Sequence, residues 1–223
     1  MIDSIICITG GANGLGRELV ANFASKNKVI ILDIDPKTET VAQQLGCDYQ
    51  ICDVSDFNQL SGAIKKITTK YRKIDCFVNN AGVYIDGAIE TNDPKLIKKV
   101  FEVNCLGQMF VTNILIPIFK KQKHGIIINI NSTAGLHPKG FNSIYHASKA
   151  AMTSFSKSIQ SELKGFPIKV VDIHPGPMKT NFTKGYKVNQ KRSIHPDQVV
   201  KVINFILSLD SKITVPSFTI KGL

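Results

Sequence analysis

The chain runs to 223 residues, 43% of them hydrophobic, and carries a formal net charge of +11 at pH 7. That length suits one hydrophobic core, and ordinary glycine and proline counts exclude fibrous and low-complexity chains. The lysines are dispersed rather than striped, Trp is absent and no aromatics interleave with the basic runs, so nucleic acid is not an expected partner.

Ile5–Thr9 reads as a buried strand rather than a secretory leader, and the helix Gly14–Lys26 follows it through the turn Thr9-Gly10-Gly11-Ala12-Asn13-Gly14-Leu15-Gly16. Strand Lys28–Asp33, helix Lys37–Leu45, strand Asp48–Cys52 and helix Phe57–Tyr71 come next, with Asp56 at the last helix's N-cap. Strand Ile74–Asn79 precedes a long helix, Pro94–Lys121, capped by Asp93. Strand Gly125–Ser132 precedes helix Ser143–Leu163, capped by Asn142. Strand Lys169–His174, an irregular stretch from Pro175 to Pro196, helix Pro196–Leu209 and strand Ile213–Ile220 complete the order. Several strands are continuous Ile/Val/Leu, as parallel strands covered on both faces are. The alternation predicts an α/β single domain over 1–223: a doubly wound parallel sheet of about seven strands with helices on both faces. No apolar run reaches the roughly 20 residues of a membrane helix, so no membrane partner is expected. The five cysteines (Cys7, Cys47, Cys52, Cys76, Cys105) include no C-x-x-C pair or Cys/His cluster, so they read as free thiols in a reducing, cytoplasmic setting and no metal is expected.

A glycine-rich turn between a strand and a helix suits a dinucleotide, because it lets a pyrophosphate approach helix-terminal N–H groups. Gly10, Asn13, Gly14, Leu15 and Gly16 are the candidate contacts. Asp33, 17 positions after Gly16, is placed to accept from the adenosine ribose hydroxyls and to repel a 2′-phosphate; with neutral Asn13 in the turn, NAD is favoured over NADP. Asp35, one alternation further on, reads as an exposed bystander. Asp53, with Val54 beside it, is placed to receive the adenine amino group, or else to cap a helix. Asn80, Ala81 and Gly82 let the backbone lie against the cofactor, although Asn80 equally suits a turn-stabilising role. Tyr145 and Lys149, four apart, share a helix face. A phenol is a poor base at neutral pH, and a neighbouring ammonium and an oxidised nicotinamide both favour its phenolate. Ser132 can hold a substrate oxygen against Tyr145.

These pieces, in this order, resemble the short-chain dehydrogenase/reductase family: T-G-x-x-x-G-x-G at Thr9–Gly16, N-N-A-G at Asn79–Gly82, Asn104, Ser132, Y-x-x-x-K at Tyr145–Lys149, and Pro175-Gly176 with Thr180. The resemblance implies a Rossmann-like NAD(P)-binding domain that interconverts a secondary alcohol and a ketone, with a short substrate loop at about 177–196. It implies Asn104, Ser132, Tyr145 and Lys149 as the catalytic set, Asn104 sitting at a helix distortion and holding a relay water. Tyr145 and Lys149 also contact the cofactor, while Pro175, Gly176, Met178 and Thr180 flank the nicotinamide. A homodimer through the helices near Asn104 and Ser143 is implied as well. The short segment after Thr180 departs from the longer lid of many members, and the missing closing glycine-rich turn weakens any case for a tetramer. Reduction of an imine or pterin, or a non-catalytic NAD-binding redox sensor, are the alternatives. Met178, Phe182, Tyr186 and Val188 suggest apolar substrate contacts; Lys184, Lys187, Lys191 and Arg192 are candidates for an anionic group, and His137 and His146 for the pocket wall.

Overall fold

Strands β1 (Ile5–Thr9), β2 (Lys28–Asp33), β3 (Asp48–Ile51), β4 (Cys76–Asn79), β5 (Gly125–Ile130), β6 (Ile168–Pro175) and β7 (Ser217–Ile220) pair into one sheet in the order β3-β2-β1-β4-β5-β6-β7. Every pairing is parallel in this computed structural model, which describes residues 1–185 and 192–223. The expected seven-stranded, doubly wound α/β architecture is therefore observed.

Side chains alternate across each strand, so the sheet builds two cores. Ile6, Ile8, Val29, Ile31, Val171 and Ile173 face helices α1 (Gly14–Ala24), α2 (Thr38–Leu45) and α7 (Pro196–Ser208). Cys7, Ile30, Leu32, Phe77, Ile127 and Val170 face α3 (Phe57–Tyr71), α5 (Gln108–Gln122) and α6 (Ser143–Glu162). Asp56 caps α3 by accepting from the Asn58 and Gln59 amides, and Asp93 caps α4 (Pro94–Phe101) through the Lys95 amide.

Several expected boundaries move for local reasons. β4 starts at Cys76 rather than Ile74, because the Ile74 N–H and C=O are both taken by the Gln122 side chain. β5 stops at Ile130, so Ser132 lies beyond the strand and caps a single helical turn, Thr133–Gly135. β7 begins only at Ser217, after Ile213 has closed a turn on Asp210 and Pro216 has passed. Asn142 occupies the first position before α6 but makes no side-chain cap bond. The long helix expected over Pro94–Lys121 is α4 and α5 joined through a π-helical turn, Glu102–Gly107. By length and composition alone that run, Pro94–Gln122, is apolar enough to cross a membrane, which the sequence reading missed; here its inner side packs into the domain.

Candidate active site

The residues singled out in the sequence converge at the carboxyl ends of β1, β2, β4, β5 and β6, where an open parallel sheet places its ligands. Gly10 takes φ +65, and a Cβ there would come within 2.9 Å of the Ala81 Cα. A Cβ on Gly16 would sit 2.0 Å from the Gly10 carbonyl oxygen, so only glycine lets α1 start this close to the turn. Asn80 holds the turn by donating from Nδ2 to the Thr9 and Gly10 carbonyls at 2.9 and 3.0 Å. Thr9 Oγ1 in turn accepts from the Asn80 and Ala81 amides. The Leu15 side chain is buried in the core under α1.

The cradle fits the phosphates of a dinucleotide. Asn13 gives α1 no side-chain cap, and its first turn holds no acidic residue, so the helix-terminal N–H groups remain available to an anion. Asp33 closes β2 with Oδ2 accepting from the Ala12 amide at 3.0 Å and Oδ1 from the Asp35 amide at 3.1 Å. Each oxygen keeps a further lone pair for a ribose hydroxyl. Asp35 is not the bystander expected: it is half-buried and its Oδ2 accepts from the Asn13 side-chain Nδ2 at 3.3 Å, tying the turn to β2.

Asp53 does not cap a helix; Asp56 does. Its Oδ1 accepts from the Ser55 amide and hydroxyl, and its Oδ2 pairs with Lys99 at 3.1 Å. Burial pushes Asp53 up, but the Ser55 and Lys99 contacts outweigh it and hold the carboxyl below the usual range. Nothing in the sequence flagged Lys99, which arrives from α4. Val54 packs on Gly107 of the π-turn, where a Cβ would meet its Cγ2 at 3.0 Å.

Asn104 lies inside that π-turn, fully buried. The helix distortion expected there is present, and π-turns of this kind mark functional sites. The Asn104 amide bonds to protein groups: Oδ1 accepts from the Val83 N–H at 2.8 Å, and Nδ2 donates to the Val83 carbonyl and the Ser148 hydroxyl at 3.0 and 3.1 Å.

Tyr145 and Lys149 stand one turn apart on the buried face of α6, with the Lys149 Nζ 5.8 Å from the Tyr145 ring centroid. Burial lowers Lys149 to about 8, against the pull of Asp172 and Cys105, and its ammonium donates to the Ile130 carbonyl at 3.0 Å. Burial raises the Tyr145 phenol, the Ser132 hydroxyl draws it back, and Tyr84 adds to the rise. The cofactor-free protein therefore lacks the downward shift expected for Tyr145 with an oxidised nicotinamide beside it: desolvation outweighs the Ser132 hydrogen bond. Ser132 Oγ accepts from the Ala134 amide at 3.1 Å, which leaves its own proton to donate elsewhere.

The wall beside Tyr145 is aromatic. Tyr84 meets Tyr145 edge to face at 4.8 Å, and Phe182 lies 6.1 and 6.2 Å from the two rings. Tyr84 follows two residues after Gly82, a signal the motif reading passed over. With the Asn142 amide oriented to satisfy both of its polar atoms, it accepts from the Tyr84 hydroxyl at 3.3 Å and donates to His146 Nε2 at 2.8 Å. His146 Nδ1 then donates to the Ala134 carbonyl at 2.8 Å. Burial holds His146 below its ordinary value, the Ala134 bond opposes this, and Lys139 adds to it, consistent with that neutral tautomer. His137 is exposed.

Pro175 and Gly176 end β6 in the interior, the Gly176 amide donating to the Ile220 carbonyl at 2.7 Å. Met178 pairs with Ile194 in an isolated parallel bridge. Thr180 comes back over the glycine turn, its Cβ 3.7 Å from where a Gly14 Cβ would stand. Phe182, Lys184 and Arg192 are exposed; Tyr186, Lys187, Val188 and Lys191 lie outside the described residues.

The profile of the short chain dehydrogenase family matches residues 4–191. Estradiol 17-beta-dehydrogenase 11 of Pongo abelii is 32% identical over 225 residues, covering 96% of this chain and 75% of that protein. Among solved structures, the 3-ketoacyl-(acyl-carrier-protein) reductase of Brucella melitensis complexed with NADH has TM-score 0.91 and 27% identity, covering 98% of this chain and 97% of that one. The closed form of serine dehydrogenase complexed with NADP+ has TM-score 0.92 at 23% identity, covering 98% and 94%, a likeness of fold alone.

Proposed function

The chain belongs to the short-chain dehydrogenase/reductase family, and from that premise we propose that it is an oxidoreductase interconverting a secondary alcohol and a ketone with NAD as its cofactor. The observation that carries this reading is the convergence of buried Ser132, Tyr145 and Lys149 beside an uncapped helix N-terminus. The α1 N-terminus, Gly10, Asn13, Gly14, Leu15 and Gly16 hold the pyrophosphate, and Asp33 holds the adenosine ribose. Asp53, Val54, Asn80, Ala81 and Gly82 line the adenosine side, and Pro175, Gly176, Met178 and Thr180 the nicotinamide side. The nicotinamide, when bound, supplies or accepts the hydride at the substrate carbon.

Ser132 donates its free hydroxyl proton to the substrate oxygen and keeps that oxygen on the Tyr145 side of the cleft. Tyr145 gives the proton in ketone reduction and takes it back in alcohol oxidation. Burial keeps Tyr145 protonated in the cofactor-free protein, the form ready for reduction. Lys149, lowered to about 8 and so still mostly an ammonium at pH 7 but readier than an ordinary lysine to give up its proton, is suited to return one to Tyr145. Asn104 shapes this site by clamping the Val83 backbone and Ser148 to the π-turn. Tyr84 and Phe182 favour an apolar ketone.

Two further expectations stay with this reading. A homodimer through the outer faces of α5 and α6 would cover exposed Leu106 and half-buried Phe110 and Ile114. A cytoplasmic location agrees with five free thiols. The decisive experiment follows NADH and NADPH oxidation by the purified protein across a panel of ketones, with Tyr145→Phe in parallel. Turnover with NADH that disappears in the variant is the expected result. Turnover equal in the two proteins would end the proposal.

A further inference from the structure

Directly behind Ser132 lies a pair of buried ionisable side chains that the reaction as described does not use. β6 carries Asp172 and His174, two positions apart and therefore on one face, and their side chains are 3% and 2% exposed. His174 Nδ1 lies 3.1 Å from the Ser132 carbonyl oxygen, and its Nε2 lies 3.3 Å from Asp172 Oδ2. A carbonyl oxygen only accepts, so Nδ1 carries a hydrogen.

Asp172 is itself fixed. Asn131 Nδ2 donates to its Oδ2 at 3.2 Å, and the Ser156 hydroxyl donates to its Oδ1 at 3.3 Å. Asn131 also donates to Thr153 Oγ1 at 2.8 Å, and that hydroxyl donates to the Lys149 carbonyl at 3.0 Å. The cluster thus grips the chain on both sides of the cleft: β5 just past its end, and α6 at the lysine. Burying two ionisable groups in the middle of a sheet is unfavourable, and an isoleucine or valine would serve the sheet better. Ser132, in contrast, needs support. It lies two residues beyond the end of β5, and the other hydrogen bond to its carbonyl is a local one from the Gly135 amide at 3.0 Å.

We propose that His174, oriented by Asp172, is a positioning residue that fixes the Ser132 backbone and so aims the Ser132 hydroxyl at the substrate oxygen. The purpose assigned to Ser132 rests on the alcohol–ketone reading above; the contact itself does not.

Two substitutions separate positioning from packing. His174→Asn keeps a nitrogen donor near the place of Nδ1 and hence the Ser132 bond; His174→Gln keeps one near the place of Nε2 and gives that bond up. Expected is a kcat for ketone reduction within about threefold of native for His174→Asn and a loss of roughly 10- to 100-fold for His174→Gln, both with native NADH affinity. Amide hydrogen exchange on the cofactor-free proteins supplies a second readout: the Ala134 and Gly135 amides, both bonded to Ser132, exchange faster in His174→Gln but not in His174→Asn. Equal exchange in the two variants, or kcat losses that are equal and follow thermal stability, would overturn the proposal. If His174→Gln does not fold, Asp172→Asn takes its place and should lower kcat severalfold with the same faster exchange; native values of both would also overturn it. A native protein that reduces no ketone would sink the alcohol–ketone reading alone, and the exchange comparison would still decide the positioning claim.

Discussion

The Lys149 ammonium is sealed under the Ile130 carbonyl, which accepts from it at 3.0 Å. Burial brings the group down to about 8 in the folded chain, with Asp172 and Cys105 pulling the other way. The unfolded chain keeps the ordinary lysine value of about 10.4 and binds more protons between the two. Stability therefore rises with pH across that window, and below about 8 the penalty is present in full, on the order of 3 kcal/mol. Lys149→Met removes the penalty and sacrifices a hydrogen bond of about 1 kcal/mol. At pH 7 the inactive variant should be the more stable protein by about 1–2 kcal/mol, and the gap should close towards pH 10. Urea unfolding of both cofactor-free proteins at pH 7 and pH 9.5 measures this; a gap of the same size at both pH values would refute it.

Tyr145→Phe deletes one hydroxyl from a buried ring that keeps its contact with Tyr84. The loss should fall on chemistry: kcat down by about 100- to 10,000-fold, the range of general acid–base catalysis, with NADH affinity within about threefold of native. Single-turnover kinetics and calorimetry measure the two separately. Loss of cofactor binding along with turnover would show that the phenol supports the binding site instead.

Asp33 has two duties under the proposed function, since the carboxylate assigned there to the ribose also accepts from the Ala12 and Asp35 amides. Asp33→Asn keeps one acceptor oxygen and removes the charge that repels a 2′-phosphate. It should weaken NADH by about tenfold, the worth of one charge-assisted hydrogen bond, and narrow the preference over NADPH by a similar factor. A variant whose NADH:NADPH ratio of kcat/KM equals that of native protein would show that selectivity lies elsewhere.

Much of the site was legible because its parts are local. Ile5–Thr9 and the glycine turn are contiguous, and Tyr145 and Lys149 share a helix face through simple periodicity. What escaped the sequence was long-range. Lys99 reaches Asp53 across 46 positions, and His174 reaches Ser132 across 42; neither contact has a period or motif to announce it. Asp35 was misjudged because alternation alone places it outward, whereas the folded turn brings Asn13 to it. The rise of the Tyr145 phenol in the cofactor-free protein escaped the sequence for a different reason: desolvation depends on how completely the ring is covered, which no single segment encodes.

Phe182 offers the sharpest probe of substrate chemistry. Its ring approaches both Tyr84 and Tyr145, and its edge lies 3.8 Å from where a Cβ on Gly82 would stand, so it narrows the cleft directly over the proposed proton donor. It donates and accepts no proton, and any contribution must come from apolar contact. Phe182→Ala should raise KM for apolar ketones by about tenfold, the worth of one aromatic contact of roughly 1.5 kcal/mol, and leave kcat within about threefold. Small polar ketones, which gain little from the ring, should show almost no change in KM. Steady-state kinetics on a matched apolar and polar pair tests both statements. A fall in kcat at constant KM would instead make Phe182 part of the step that closes the cleft, because uniform binding contacts act on KM and leave the bound complex's barrier untouched.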